Sequence, residues 1–333
     1  MTKKILIVRT SSLGDLVHML PAISDIAGHV PDAQIDWIVE ESFADIPRWH
    51  PAVHDVIKVA HRRWRKQWWS PQSRSERAVL RKDLDGRRYD VVLDMQALMK
   101  SVWLVRQTHG KRHGLDRKSA REPLASFFYD VKHKVNFWQP AVTRQRELAA
   151  AAFGYQYDGP ADFGLQRFTD GVQIQPYAVI MPSASRDDKL WPEQDWHQVF
   201  AHLRAQGLGL RLLSGSEDET ARARALATGW DDAQVLPRMS LTEVAGVLAQ
   251  SRIMVGLDSG LTHLSAGLGR PTIGIYKAST PVRTPLEGSG YTASLGERGR
   301  APSAQTVLSA IEQALAYKDR DTAHVLGGGV FPQ

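Results

Sequence analysis

Two rhythms alternate along this chain. Short, mainly apolar runs recur at Ile5–Val8, Ile35–Val39, Val56–Val59 and Val91–Asp94, each ending in polar residues. Such runs predict strands buried on both faces, as in a parallel sheet. Between them apolar positions follow helical spacing. Leu16, Leu20, Ile23 and Ile26 form one stripe, and further helical patterns cover 74–84, 98–108 and 144–153. Pro21 falls inside the first stripe, where it either kinks the helix or opens a new one. Strands alternating with helices predict a parallel α/β sheet.

The rhythm fades between Gly154 and Pro176, a stretch of Gly, Pro, Asp and Gln that we take as a linker. It then restarts. Strands are predicted at Tyr177–Met181, Leu208–Leu213, Gln234–Leu236, Ile253–Leu257 and Thr272–Tyr276. Helices are predicted at Glu193–Gln206, Glu217–Thr228, Leu241–Ala249 and Gly260–Leu268, with a last one from the Ser303 cap to about Tyr317. Ser240 and Glu243 have capping-box spacing. Both halves open on an apolar strand followed by a Ser-rich loop that closes on an acidic residue. Two doubly wound domains would each present such loops at the carboxyl ends of their strands, where open α/β sheets bind ligands.

Composition narrows the class. The 333 residues exceed what one hydrophobic core usually serves, which favours two domains. The chain has no cysteine, so disulfides, thiolate metal sites and cysteine nucleophiles are excluded. The N-terminal apolar run is too short for a secretory signal, and no stretch approaches the ~18 uninterrupted apolar residues of a membrane span. We therefore expect a cytoplasmic protein that touches at most a membrane surface. The net charge of +6, from 42 basic and 36 acidic residues, points to an anionic partner. The basic residues concentrate between His61 and Arg88, together with Trp64, Trp68 and Trp69. A solvated helical face would also look like this. No nucleic-acid-binding motif accompanies the charge, so a nucleic-acid partner is not expected.

Three strand-to-helix junctions can carry chemistry. In the first, 10–15, Gly14 lets the backbone approach a ligand, and Asp15 sits where a helix N-terminus favours a carboxylate able to accept a proton. An acidic residue in a first helical turn can equally be only a cap. In the second, 183–192, hydroxyls, amides and Lys189 suit a diphosphate, although its charges could also pair with one another. In the third, 256–263, the amides near Ser259 and Gly260 form an anion site at a helix start, with His263 one turn in. No GxGxxG, P-loop, GxSxG or HExxH occurs. Asp187 and Asp188 are adjacent rather than spaced as DxD, and His61, His109 and His113 lack helical pairing with carboxylates. No metal site is expected.

The segments SSLGDLVHMLPAI (11–23), SRDDKLWP (185–192) and LDSGLTHLSAGLGRP (257–271) resemble the lipopolysaccharide heptosyltransferase I family. IDWIVEESFADIPRWHPAV, RRWRKQW, LDMQALMKS, AREPLASFFYD and VLPRMSL support the resemblance, which runs in order to about residue 275. It implies a GT-B fold of two Rossmann-like domains facing a central cleft. It also implies an inverting glycosyltransferase that moves L-glycero-D-manno-heptose from ADP-heptose to a Kdo residue of Kdo-lipid A, without cofactor or metal. By motif, Asp15 is the base. Ser185, Lys189, Glu219, Met239, Asp258, Ser259, Gly260 and His263 line the donor site. Ser12, Arg62, Arg63, Arg65, Lys66, Lys100 and Arg121 face the anionic acceptor, with peripheral contact on the anionic cytoplasmic face of the inner membrane. The implied domains are 1–165 for the acceptor and 175–302 for the donor. A helix at 303–318 packs back towards the N-terminal domain, and 319–333 forms a loose tail.

The chain departs from that family at two places. Ala184 and Ser185 stand where two Thr residues are usual, and Lys277-Ala278-Ser279-Thr280 replaces a Gly-Pro-Thr turn. These changes keep open a transferase of the same fold with another donor or acceptor. A non-catalytic nucleotide- or glycolipid-binding protein would share the basic face but needs no carboxylate at Asp15.

Overall fold

A computed structural model of the protein describes residues 2–184 and 186–317. The chain divides after Tyr157 into two compact units. The first contains β1 (Lys3–Val8), α1 (Leu13–Val17), α2 (Leu20–His29), β2 (Ala33–Glu40), α3 (Asp45–Trp49), β3 (Val53–Val59), α4 (His61–Lys66), α5 (Pro71–Gly86), β4 (Arg88–Asp94), α6 (Met99–Val105), β5 (His109–Leu115), β6 (Val131–His133) and α7 (Ala141–Phe153). Its six strands lie in the order β3-β2-β1-β4-β5-β6, and all pair in parallel. β1 is buried from Ile5 to Val8, as an apolar run between two parallel neighbours must be.

The second unit contains α8 (Gln166–Thr169), β7 (Gln175–Met181), α9 (Glu193–Ala205), β8 (Gly209–Leu212), α10 (Glu217–Ala227), β9 (Ala233–Val235), α11 (Leu241–Gln250), β10 (Ser251–Leu257), α12 (Gly260–Gly267), β11 (Thr272–Ile275), β12 (Thr292–Leu295) and α13 (Ala304–Ala316). Its order, β12-β11-β10-β7-β8-β9, repeats that of the first, again in parallel. Each sheet therefore reverses direction between its first and fourth strands, and the loops after those strands open the crevice where such sheets bind ligands.

Several expectations change. The helical stripe through Leu16, Leu20, Ile23 and Ile26 is two helices, the second of the two outcomes that Pro21 allows. Pro21 lies in the first turn of α2, where its missing N–H costs nothing. The first unit ends at Tyr157, not 165, because Phe163 and Leu165 of the weakly periodic segment are buried in the second unit. The Phe163 ring lies against Gly267; a Cβ there would stand 2.8 Å from it. The last helix packs on α9, β10, β11 and β12 of the second unit. Val307, Ile311 and Ala314 recur at helical spacing and fill that unit's core. The expected tail at 319–333 lies outside the described residues. β5, β6 and β12 were missed: their sequences, HGKRHGL, VKH and TASL, carry almost no apolar signal. No helix among the described residues is long and apolar enough to cross a membrane.

Candidate active site

In the first unit, polar side chains gather beyond the ends of β1, β2 and β4. Asp15, in the first turn of α1, has a side chain 40% exposed. Its Oδ1 lies 2.8 Å from Arg9 Nη2. Its Oδ2 accepts from the Ser12 amide at 2.8 Å and the Ser12 hydroxyl at 2.9 Å. Burial pushes this carboxyl up, but Arg9, the Ser12 donors and His18 outweigh it and hold the group at about 2. It is ionised at neutral pH. Arg9 is fixed in turn by donating to the Met95 carbonyl. Lys100 Nζ donates to Ser11 Oγ at 2.8 Å, and burial lowers the pKa of this lysine. Buried Glu40 accepts from the Arg62 amide at 3.0 Å, and desolvation raises its pKa.

The basic segment is less uniform than its sequence. Arg63 donates to both oxygens of Glu41 at 3.1–3.2 Å and both of Glu76 at 2.8–2.9 Å. Its guanidinium therefore ties α4 to α5 and to the turn at 41–43, which commits it to protein carboxylates. Trp64 is 3% exposed and its indole donates to Glu76 Oε2 at 2.7 Å, so it is a core residue. Arg62 lies over the Phe43 ring, 4.7 Å from its centre. Arg65, Lys66 and Arg121 are exposed. Trp69 is 80% exposed, and Trp68 is stacked 3.6 Å beneath the Arg77 guanidinium.

In the second unit, the third junction forms one connected cluster. Ser259 caps α12 by accepting from the Thr262 amide, and Thr262 Oγ1 donates to the Leu257 carbonyl at 2.6 Å. Gly256 permits this closeness, since a Cβ there would meet Thr262 Oγ1 at 2.8 Å. Asp258 precedes the cap. Its Oδ2 accepts from Lys189 Nζ at 2.8 Å and from Ser279 Oγ, while its Oδ1 faces His263 Nε2 at 3.4 Å. Lys189 also donates to the Asp258 carbonyl at 3.0 Å. Burial pushes Asp258 up, but His263, Lys189 and Ser279 hold it well below the usual carboxylate range. Lys189 is thus a tethered cation rather than a loose point charge.

The remaining donor candidates are placed more loosely. Glu219 Oε2 accepts from the Gly215 amide at 2.7 Å at the start of α10. Met239 is partly exposed just before α11. Ser185 lies outside the described residues. A cavity of about 350 Å³ opens beside the Lys189 loop, walled by Leu190, Trp191, Trp196 and Leu226 with Arg222 and Lys277. Among the described residues no group of three or more His, Asp and Glu side chains is placed to hold a metal ion.

Sequence reasoning missed Arg9 and Glu40, and it noted Lys277 and Ser279 only as a departure from the family without giving them contacts. The first two had a usable signal: each is a charged residue at or just past the end of an apolar strand, the edge where α/β sheets bind ligands.

Comparison with known proteins matches residues 77–311 to glycosyltransferase family 9 (heptosyltransferase). The chain is 46% identical over 283 residues to lipopolysaccharide heptosyltransferase 1 of Salmonella typhimurium, covering 84% of this chain and 89% of that protein. It is 43% identical over 298 residues to the Pseudomonas aeruginosa protein of the same name, covering 88% and 81%. The fold resembles the solved E. coli heptosyltransferase WaaC with ADP, with a TM-score of 0.87 and 41% identity over 93% of this chain and 99% of that one. A doubly wound pair of parallel sheets, a charged cluster at each sheet's switch point and sequence similarity across both units converge on one assignment: the chain belongs to glycosyltransferase family 9, the heptosyltransferases.

Proposed function

We propose that this protein is an inverting transferase of L-glycero-D-manno-heptose from ADP-heptose to a Kdo residue of Kdo-lipid A, in assembly of the lipopolysaccharide inner core. The observation that carries this reading is the similarity to lipopolysaccharide heptosyltransferase 1 proteins over most of the chain. ADP-heptose is a substrate here, and no cofactor or metal is invoked. The protein works on the cytoplasmic side of the inner membrane, touching the anionic surface that displays the acceptor.

The first unit takes the acceptor and the second the donor. The Kdo hydroxyl oxygen bonds to the anomeric carbon, the bond from that carbon to the β-phosphate oxygen breaks, and ADP leaves. Asp15 receives the hydroxyl proton. Arg9 and Ser12 use three of the carboxylate's roughly four lone-pair positions, which leaves capacity on Oδ1 for the hydroxyl. Lys189 spends two N–H bonds on Asp258 and has one left for the diphosphate. The start of α12 adds a partial positive charge towards the departing anion. Glu219 and Met239 receive the adenosine. Ser12, Arg62, Arg65, Lys66, Lys100 and Arg121 receive the acceptor's phosphates and carboxylates. Arg63 braces this surface from behind. Trp68 and Trp69 rest at the membrane edge.

The test is direct. The protein is incubated with ADP-heptose and Kdo-lipid A, and the lipid is weighed by mass spectrometry. A gain of one heptose supports the proposal. Turnover with another nucleotide sugar, and none with ADP-heptose, would sink it.

A further inference from the structure

The turn after β11 carries the residues Lys277 and Ser279, and both reach the Lys189–Asp258 pair. The Asp258 amide donates to the Ile275 carbonyl at 3.0 Å, which fixes the register of this turn against the end of β10. From there Ser279 Oγ donates to Asp258 Oδ2, the same oxygen that accepts from Lys189 Nζ. Lys277 Nζ donates to the carbonyl of Leu190, the residue following Lys189, at 3.0 Å. One turn therefore holds both members of the ion pair. It touches the carboxylate directly and the lysine through its neighbour's backbone.

We propose that Ser279 is a positioning residue for the nucleotide sugar: its hydroxyl fixes the Asp258 carboxylate and, through it, the Lys189 ammonium, while Lys277 ties the Lys189 loop to the same turn. This rests on the donor-site assignment above. The physical need is clear. Lysine is a compact charge on a flexible four-carbon stem, and its direction is set only by what it bonds. Asp258 has two torsions of its own. Without a second donor on Oδ2 the carboxylate can swing towards His263 and draw the ammonium with it. The hydroxyl removes that freedom before a diphosphate arrives, and preorganisation of this kind appears as affinity.

The test is ADP binding by calorimetry on the full chain, with thermal unfolding recorded for each variant. Ser279→Ala is expected to weaken ADP about three- to tenfold, the size of one ordinary net hydrogen bond, because the hydroxyl reaches ADP only through Lys189. Ser279→Thr, which keeps the hydroxyl, restores the affinity. Lys189→Ala weakens ADP, and adding Ser279→Ala to it weakens it no further, because the hydroxyl acts through the lysine. Unchanged binding in Ser279→Ala, failure of Ser279→Thr to restore it, or full additivity with Lys189→Ala would each overturn the positioning role alone. Unchanged ADP binding in Lys189→Ala would overturn the donor-site assignment and this role with it. A Ser279→Ala protein that unfolds at lower temperature while Ser279→Thr binds normally still supports the role.

Discussion

The Arg9 guanidinium lies 2.8 Å from Asp15 Oδ1, so the carboxylate at the head of α1 is held ionised and aimed by a residue six positions upstream, across the loop that ends β1. The pair explains how a carboxyl that burial would push up stays charged. It also means that the carboxylate gains its orientation at some loss of proton affinity.

Asp15→Asn should lower the turnover number by about 10²–10⁴, the usual contribution of a positioned base, and leave ADP affinity unchanged. Rapid-quench turnover with parallel calorimetry measures both, and near-normal turnover would remove Asp15 from the chemistry. The pH profile adds a second check. With the carboxyl at about 2, no acid limb due to Asp15 should appear above about pH 4. Arg9→Met removes the largest of the interactions that oppose burial and leaves the Ser12 donors and His18, so the pKa rises and the acid limb should shift to higher pH. The linkage has the same sign: a depressed folded pKa stabilises the protein above the ordinary carboxyl value of about 4 and loses that contribution as the pH falls towards 2.

Lys189→Ala should raise the donor KM by about tenfold or more, from loss of a charge-assisted hydrogen bond. The acceptor KM should stay near its original value. The residue lies in a loop, so the melting temperature should move less than in the core variant Asp25→Ala described below. Steady-state kinetics titrated in each substrate decide this, and a large melting shift with unchanged kinetics would give Lys189 a structural role.

Neutralising Arg62, Arg65 and Lys66 together should raise the acceptor KM several-fold and flatten the salt dependence of transfer. Each basic residue near an anionic surface contributes on the order of 1 kcal/mol, and salt screens it. Arg63→Ala should behave differently. It breaks the ties to Glu41 and Glu76, so its main effect should be on thermal stability. A triple variant whose change is confined to the donor KM would move this surface into the donor site.

Asp25→Ala should destabilise the protein by about 3–5 kcal/mol, because it removes the carboxylate paired with the buried Arg146 guanidinium. Arg146 on α7 holds both oxygens of Asp25 on α2 at 2.7 and 2.9 Å; Arg146 is buried and Asp25 is mostly so. Chemical denaturation of the purified protein measures the loss. A shift under 1 kcal/mol would mean that water reaches the Arg146 site.

The sequence by itself determined the α/β class, the repeat of one architecture and the three junctions that hold Asp15, Lys189 and Asp258. Those signals are local. An apolar run four residues long, a Ser-rich loop or a helical stripe is written in neighbouring positions, so each is legible without knowing what it packs against. The family resemblance added roles to particular residues for the same reason, since its motifs are contiguous.

What only the tertiary structure decided is which charges meet. Lys189 and Asp258 are 69 positions apart and join because β7 and β10 pair side by side at the switch point. Ser279 and Lys277 gain roles only through the register of β11. Arg63 looked like one more surface cation until Glu76, thirteen positions on, arrived on α5. The destination of Phe163 and of the last helix was set by which unit had an apolar surface to cover. A sequence shows that a residue is charged or apolar; whether its partner is water, a substrate or another side chain depends on long-range packing, which local propensity does not encode.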